Sequence, residues 1–312
     1  MLISQKLNIL ITGGAGYKGS SLVPILIQNN KVDVLDQHIS QESTLIPFTK
    51  NKNFNFIKKD IYDIKKSDLT KYDLVIHLAG LSGYPACEAN PGIAESVNVH
   101  STKNLCRLLS KNQKLIYAST TYIYEISKKK INEDSKVNPK TLYAKTKLEA
   151  EKICLQRENT VALRFATIFG VSPTMRHDLL LNDFVRRAVN ERNIVLFDEH
   201  SLRSFIHIND VMDAYILTIK NFNKMKRNIY NIGSDNMNYS KLQIAKKIQK
   251  KTHCEIITSS LADPDKRNFI IDYKKIQKFK FTNKVSIDEG ISELVKFYKW
   301  FKPGKTGSNS LV

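Results

Sequence analysis

Tyr143 and Lys147 lie four residues apart in "LYAKTKLEAEK", a stretch of helical pattern, so their side chains share one face. A free tyrosine, with a pKa of about 10, is a poor base at neutral pH. An ammonium beside it favours the phenolate and makes Tyr143 a candidate general base. The run "YASTT" closes a strand-like segment at Thr120. A hydroxyl there can hydrogen-bond a reacting alcohol and relay its proton to Tyr143. Together the three residue types suit deprotonation of a hydroxyl as its carbon is oxidised. Tyr and Lys at this spacing also recur on solvated helices, so the pair draws its meaning from its surroundings.

The first of these surroundings is "ITGGAGYKGSS". Gly13, Gly16 and Gly19 stand three apart, and Gly14, Gly16 and Gly19 fit G-x-G-x-x-G. The cluster follows a strand, opens a helix and begins a strand-helix-strand unit. In that context glycines let the backbone turn sharply and approach a pyrophosphate at the helix N-terminus. The second strand ends at Asp36, where an acid can bind both ribose hydroxyls. Gln37 and His38 follow, with no arginine to meet a 2′-phosphate, so NAD is favoured over NADP. Lys18 is unusual in this turn, since a cation in the first turn of a helix opposes the helix dipole. Either its ammonium compensates the cofactor's phosphates, or its stem packs while the amine reaches water.

These residues need elements to position them. Apolar runs at 7–12, 31–36, 53–60, 74–79, 114–120 and 160–169 are predicted strands, and helical patterns fall at 17–29, 92–110 and 141–157. Near-continuous apolar strands between helices predict an α/β fold: a doubly wound parallel sheet (Rossmann). Strand ends at the carboxyl edge of such a sheet are where ligands bind. After Gly170 the rhythm loosens. "HDLLLNDFVRRAVN" and "NDVMDAYILTIKNF" are predicted helices, "IVLF" and "SFIHI" short strands, and Ser286 with Glu289 has capping-box spacing. The expected organisation is a first domain over 1–170 and a smaller C-terminal α/β substrate domain over 171–312, with segments near 203–235 returning to the first.

Composition narrows the function. The 312 residues suffice for a sizeable core, and no apolar run is long enough to span a bilayer. With no leader pattern at the N-terminus, a cytoplasmic protein is expected. The net charge of +19 comes mostly from scattered lysines, with no nucleic-acid module beside them. Solvated helix faces explain it, and no nucleic-acid or membrane partner is expected. Cys87, Cys106, Cys154 and Cys254 show no metal or redox spacing, and the histidines show no HExxH, so no metal is assigned.

The glycine turn, Asp36, Asp60 in "KKDIYD", "HLAG", Asn98 in "SVNVHST", a Ser/Thr strand end and the Tyr-x-x-x-Lys helix occur in one order. In this the chain resembles an extended short-chain dehydrogenase/reductase of the NAD-dependent sugar epimerase/dehydratase family. The similarity covers nearly the whole length, through "LRFATIFG", "LRSFIHINDV" and "DPDKRNFIIDYKKI". It is nearest to a branch acting on nucleotide-linked sugars for surface polysaccharides, including GDP-heptose C4 dehydrogenases. The resemblance implies that Gly13, Gly16, Tyr17, Lys18 and Gly19 meet the cofactor. It implies that Asp60 and Ile61 flank the adenine and that Leu78, Ala79 and Gly80 lie beneath the cofactor. Asn98 then belongs to the network holding Lys147, and Lys147 also holds the nicotinamide ribose. In the second domain Asn182, Arg203 and Arg267 are implied to grip the nucleotide diphosphate, while Arg176 is either a further substrate contact or a surface salt bridge. Thr121, Tyr122 and Thr167 are implied to line the sugar site, and Tyr84, in the loop after the fourth strand, either joins them or caps the following helix. A homodimer through helices near 95–110 and 141–157 is also implied.

Departures from the family pattern select among reactions. The 4,6-dehydratases carry an Asp-Glu pair where this chain has Thr121 and Tyr122, and neither can act as that carboxylate. The 3,5-epimerases place a cysteine at Tyr122. Thr167 replaces a frequent asparagine, and Glu125 a glycine. The expectation is oxidation at C4 of a nucleotide-linked sugar, by a 4-epimerase or a 4-dehydrogenase. The alternatives are a 4-keto reductase, a 4,6-dehydratase, or a non-catalytic NAD-sensing protein.

Overall fold

The strand β1 (Asn8–Thr12) is apolar, β-branched at three of its positions and buried along nearly its whole length, which places it at the centre of a sheet. The computed structural model of the protein describes residues 6–37, 44–127, 129–261 and 270–302. Around β1 are β2 (Lys31–Asp36), β3 (Phe54–Lys58), β4 (Leu74–His77), β5 (Lys114–Thr120) and β6 (Thr160–Phe165). With β10 (Asn228–Ile232) these form a seven-stranded sheet of order β10-β6-β5-β4-β1-β2-β3, while β7 (Thr167–Phe169), β8 (Asn193–Phe197) and β9 (Leu202–His207) lie outside it. Pairs β1–β2, β1–β4, β2–β3 and β4–β5 run parallel. Strand order reverses between β1 and β4, and the carboxyl ends of those two strands flank that switch point.

Helices α1 (Tyr17–Leu26), α2 (Ser101–Leu108) and α3 (Leu142–Leu155) belong to the same unit as the sheet. On one side a core gathers Leu10, Leu35, Val75, Leu115 and Tyr117 with Leu105 of α2 and Ala150 and Cys154 of α3. The chain divides into two units that interleave along the sequence. The first comprises Met1–Ile123, Asn138–Arg164 and Tyr215–Tyr230; the second comprises Tyr124–Val137, Phe165–Ala214 and Asn231–Val312. In the second unit, β11 (Asn238–Ser240), β9 and β7 form one sheet, and β12 (Glu255–Ser259) pairs parallel with β8. Helices α4 (Leu180–Asn190), α6 (Lys241–Thr252) and α7 (Ile287–Trp300) pack on one another, while α5 (Ile208–Lys220) runs across the division of the two units. The capping box expected at Ser286 and Glu289 is present, with both reciprocal bonds.

Two elements differ from expectation. The apolar run 160–169 is two strands, because after Phe165 the chain leaves the large sheet and β7 joins β9. An unbroken apolar run carries no mark of the point where a strand changes sheets. The helical pattern over 92–110 is interrupted: Pro91–Glu95 is α-helical, Ser96–His100 is a π-helical turn, and α2 follows. One inserted residue per turn shifts the helix face without changing composition.

Candidate active site

Thr141 is the N-cap of α3, its hydroxyl accepting from the Ala144 N–H at 3.2 Å. The Glu88 carboxylate accepts from the Leu142 N–H at 3.0 Å, which sets an acid at the positive end of the helix. Tyr143 therefore begins a well-anchored first turn, packed with Leu142 against Leu81, Cys87 and Ala94. Its ring meets that of Tyr122 edge to face, with centroids 6.1 Å apart. The Tyr122 N–H donates to the Thr120 hydroxyl oxygen at 3.2 Å, so the Thr120 proton is what remains to be given away. Thr120 and Thr121 are buried at the end of β5 and the turn that follows it.

Lys147, one turn beyond Tyr143, is buried, and its Nζ lies 4.2 Å from the centroid of the Tyr117 ring. Among the described residues it forms no ion pair. Burial pushes its pKa down to about 8, against smaller upward pulls from Cys154, Glu151 and Cys87. Glu151 follows on the same face, and its carboxylate takes both arms of Arg164 on β6, at 2.9 and 2.6 Å. The folded pKa of Lys147 lies below that of an exposed lysine, so the unfolded chain binds more protons between pH 8 and about 10.4 and stability rises with pH there. Below pH 8 the cost of the buried charge is fully present. Lys147→Met should therefore raise stability at pH 7 by on the order of 3 kcal/mol while abolishing activity. Thermal melts across pH 7 to 10.5 check this, because the gain should fade toward the alkaline end.

Gly13 adopts φ +68°, and a Cβ there would lie 2.5 Å from the Ala79 nitrogen, so only glycine fits. Gly16, the N-cap of α1, has no neighbour closer than the Gly13 carbonyl at 3.4 Å from its would-be Cβ. Its outer side is open. The first turn of α1 has neither a side-chain cap at Gly16 nor an acid, so the positive end of the helix dipole lies at this turn without a carboxylate of its own. Asp36 reaches back to the turn, its carboxylate accepting from the Ala15 N–H at 3.0 Å. Tyr17 and Gly19 are buried and Lys18 is half-buried in the same turn. Leu78, Ala79 and Gly80 follow β4, and a Cβ on Gly80 would come within 2.7 Å of Asn98 Oδ1. Asp60 caps a short turn through Tyr62 N–H and accepts from Gln37, while Ile61 is buried among Leu35, Ile64 and Val75.

Asn98 sits in the π-helical turn. Its Nδ2 donates to the Leu81 carbonyl and to Thr146 Oγ1, both at 3.0 Å. The network implied around Lys147 thus touches its neighbour Thr146, not the ammonium. Tyr84 is half-buried and opens a short helix, Tyr84–Ala89.

In the second unit, Thr167 is buried on β7 and Arg203 is buried on β9, where its guanidinium donates to the Leu202 carbonyl. Arg176 forms a two-pronged ion pair with Asp178, both contacts at 2.6 Å. Although burial works to raise it, that guanidinium holds the Asp178 carboxyl below its usual range. Asn182 is fully buried: its Oδ1 accepts from the Gly170 N–H and its Nδ2 donates to the Arg176 carbonyl. These two bonds tie Asn182 to both ends of the 170–176 loop. Arg267 lies outside the described residues. The sequence reading overlooked Glu88 and Tyr117. Tyr117 had a signal, lying three residues before Thr120 on the same strand, whereas Glu88 had none.

The sequence profile of the NAD dependent epimerase/dehydratase family matches residues 9–233. The chain belongs to that family. UDP-glucuronate 4-epimerase of Thermodesulfobacterium geofontis is 29% identical over 315 residues, covering 93% of this chain and 95% of the relative. CDP-paratose 2-epimerase of Salmonella typhi is 25% identical over 339 residues, covering 94% and 99%. The fold is similar to that of UDP-glucuronic acid 4-epimerase from Bacillus cereus, solved with UDP-glucuronic acid and NAD. There the TM-score is 0.83 at 24% identity, covering 93% of this chain and 98% of that one. The protein is thus an NAD-dependent enzyme of the epimerase/dehydratase class. The open side of Gly16, the N-terminus of α1 with no acid in its first turn and the acid at the end of β2 fit that cofactor.

Proposed function

We propose that the protein oxidises C4 of a nucleotide-linked sugar, as a 4-epimerase or a 4-dehydrogenase. The observation that carries this is one helix presenting Tyr143 and Lys147, packed on the strand that ends in Thr120, with an open glycine turn at the same edge of the parallel sheet. NAD, held by the Gly13–Gly19 turn and Asp36, supplies a hydride acceptor. Tyr143 Oη takes the proton from the sugar hydroxyl, and Thr120 donates to the same oxygen or passes the proton on. Lys147, mostly charged at neutral pH, favours the phenolate and steadies the cofactor ribose. Thr121 and Tyr122 occupy the positions after Thr120, and neither is a carboxylate that could remove water across the ring. Asn182, Arg203 and Arg267 are assigned to the diphosphate, the arginines as bidentate donors suited to it. A cytoplasmic homodimer serving surface polysaccharide synthesis completes the proposal.

The test is a mass spectrum. The protein is incubated with NAD, a keto-acid acceptor and a panel of UDP-, GDP-, CDP- and dTDP-sugars. Unchanged mass with altered retention identifies an epimerase, and loss of two hydrogens a dehydrogenase. Loss of water would overturn the reading drawn from Thr121 and Tyr122. No change across the panel would favour a non-catalytic NAD-binding protein.

A further inference from the structure

His77 ends β4 and is fully buried, yet the reaction proposed above gives it no part. In the sheet register it stands between Thr12 of β1 and Tyr117 of β5. Its Nδ1 lies 2.7 Å from Thr12 Oγ1 and its Nε2 2.8 Å from Thr102 Oγ1 on α2. Its ring lies 5.8 Å from that of Tyr117, whose face carries the Lys147 ammonium.

The direction of each bond follows from its neighbours. Thr102 donates its hydroxyl proton to the Asn98 carbonyl at 2.7 Å, so its oxygen must accept from His77 Nε2–H. A neutral ring protonated at Nε2 has a bare Nδ1, which accepts from the Thr12 hydroxyl. The Thr12 oxygen in turn accepts from the Ala79 N–H at 3.4 Å. The ring stays neutral through the physiological range, since burial, aided by the charges of Lys147 and Lys18, pushes its pKa down to about 3. The chain of bonds is therefore directional, running from Ala79 through Thr12, His77 and Thr102 to Asn98. Asn98 then extends it, because its carboxamide donates to Leu81 and to Thr146 on α3.

We infer that His77 is a positioning residue, which locks the π-helical turn of Asn98, and through it the Tyr143 helix, to the cofactor turn at Thr12. A π-turn has poorer backbone geometry than the α-helix around it and persists where outside bonds hold it. The Asn98 carbonyl is one such anchor, and His77 fixes the hydroxyl that reaches it.

Two variants separate the bonds from the ring. His77→Phe keeps an aromatic ring beside Tyr117 and removes both hydrogen bonds. His77→Gln keeps an acceptor and a donor and removes the ring. In the protein without substrate, hydrogen exchange read by mass spectrometry should show residues 96–103 and 142–147 exchanging on the order of tenfold faster in His77→Phe, with His77→Gln near wild type. This arm does not depend on the proposed reaction. The kinetic arm rests on it: kcat should fall about 10- to 100-fold in His77→Phe with little change in sugar KM, and return within a few-fold in His77→Gln. Should His77→Phe fail to fold, Thr102→Val cuts the same chain and must reproduce both effects. Unchanged exchange in the Phe variant, or Phe and Gln variants equally impaired, overturns the inference. Altered exchange in a protein that transforms no sugar preserves the inference and removes the proposed reaction instead.

Discussion

Tyr143→Phe is expected to lower kcat by about 10²- to 10⁴-fold while leaving NAD affinity within a few-fold of wild type. The substitution removes one hydroxyl and keeps the ring that packs against Leu81, Cys87 and Ala94 and meets Tyr122. The α3 cap does not depend on that oxygen, since it uses Thr141 and Glu88. What is lost is the group proposed to accept the sugar proton. Isothermal titration with NAD, alongside turnover of the sugar identified by mass spectrometry, separates the two quantities. Turnover at the wild-type rate would remove Tyr143 from the proton path and leave Thr120 without a partner to pass a proton to.

The second large effect concerns stability. Glu151→Ala should destabilise the protein by about 3 to 5 kcal/mol, because it leaves the Arg164 guanidinium charged and buried without its carboxylate. The pair is two-pronged and nearly inaccessible, with side-chain exposures of 4% for Arg164 and 1% for Glu151. Denaturant melts measure the loss directly. Replacing both partners together, as Glu151→Leu with Arg164→Met, should restore much of it, since a well-packed apolar pair avoids the cost of desolvating two ions. Tyr143, Lys147 and Glu151 succeed one another at four-residue steps. The ion pair is therefore the far anchor of the face that carries the chemistry, and a partly loosened variant should lose kcat before it unfolds.

Much of this site was legible in the sequence, because its signals are local. The glycine turn, Asp36, Thr120 and the Tyr143–Lys147 spacing each depend on residues a few positions apart, and the structure brings the turn and the strand ends to one edge of the sheet. Long-range facts were not legible. Nothing in "VNVHST" announces a π-turn, since an inserted residue leaves apolar periodicity almost intact over so short a run. Nothing in "IVLF" or "SFIHI" says which strand will be its neighbour. Asn182 is a further case: nothing local in "LLLNDF" says that its amide will bond the Gly170 N–H and the Arg176 carbonyl.

The outer neighbour of β6 is β10, which the chain reaches only after passing through β7, β8, β9 and α5. During synthesis β6, buried along its whole length in the finished fold, waits at the ribosome as an uncovered edge. Such an edge templates association with other chains. A fragment ending near residue 170, where the sequence rhythm changes, would keep that exposure permanently and should precipitate. Soluble expression of the first unit alone would require residues 215–230 to be supplied, for instance by joining them after β6 through a short linker.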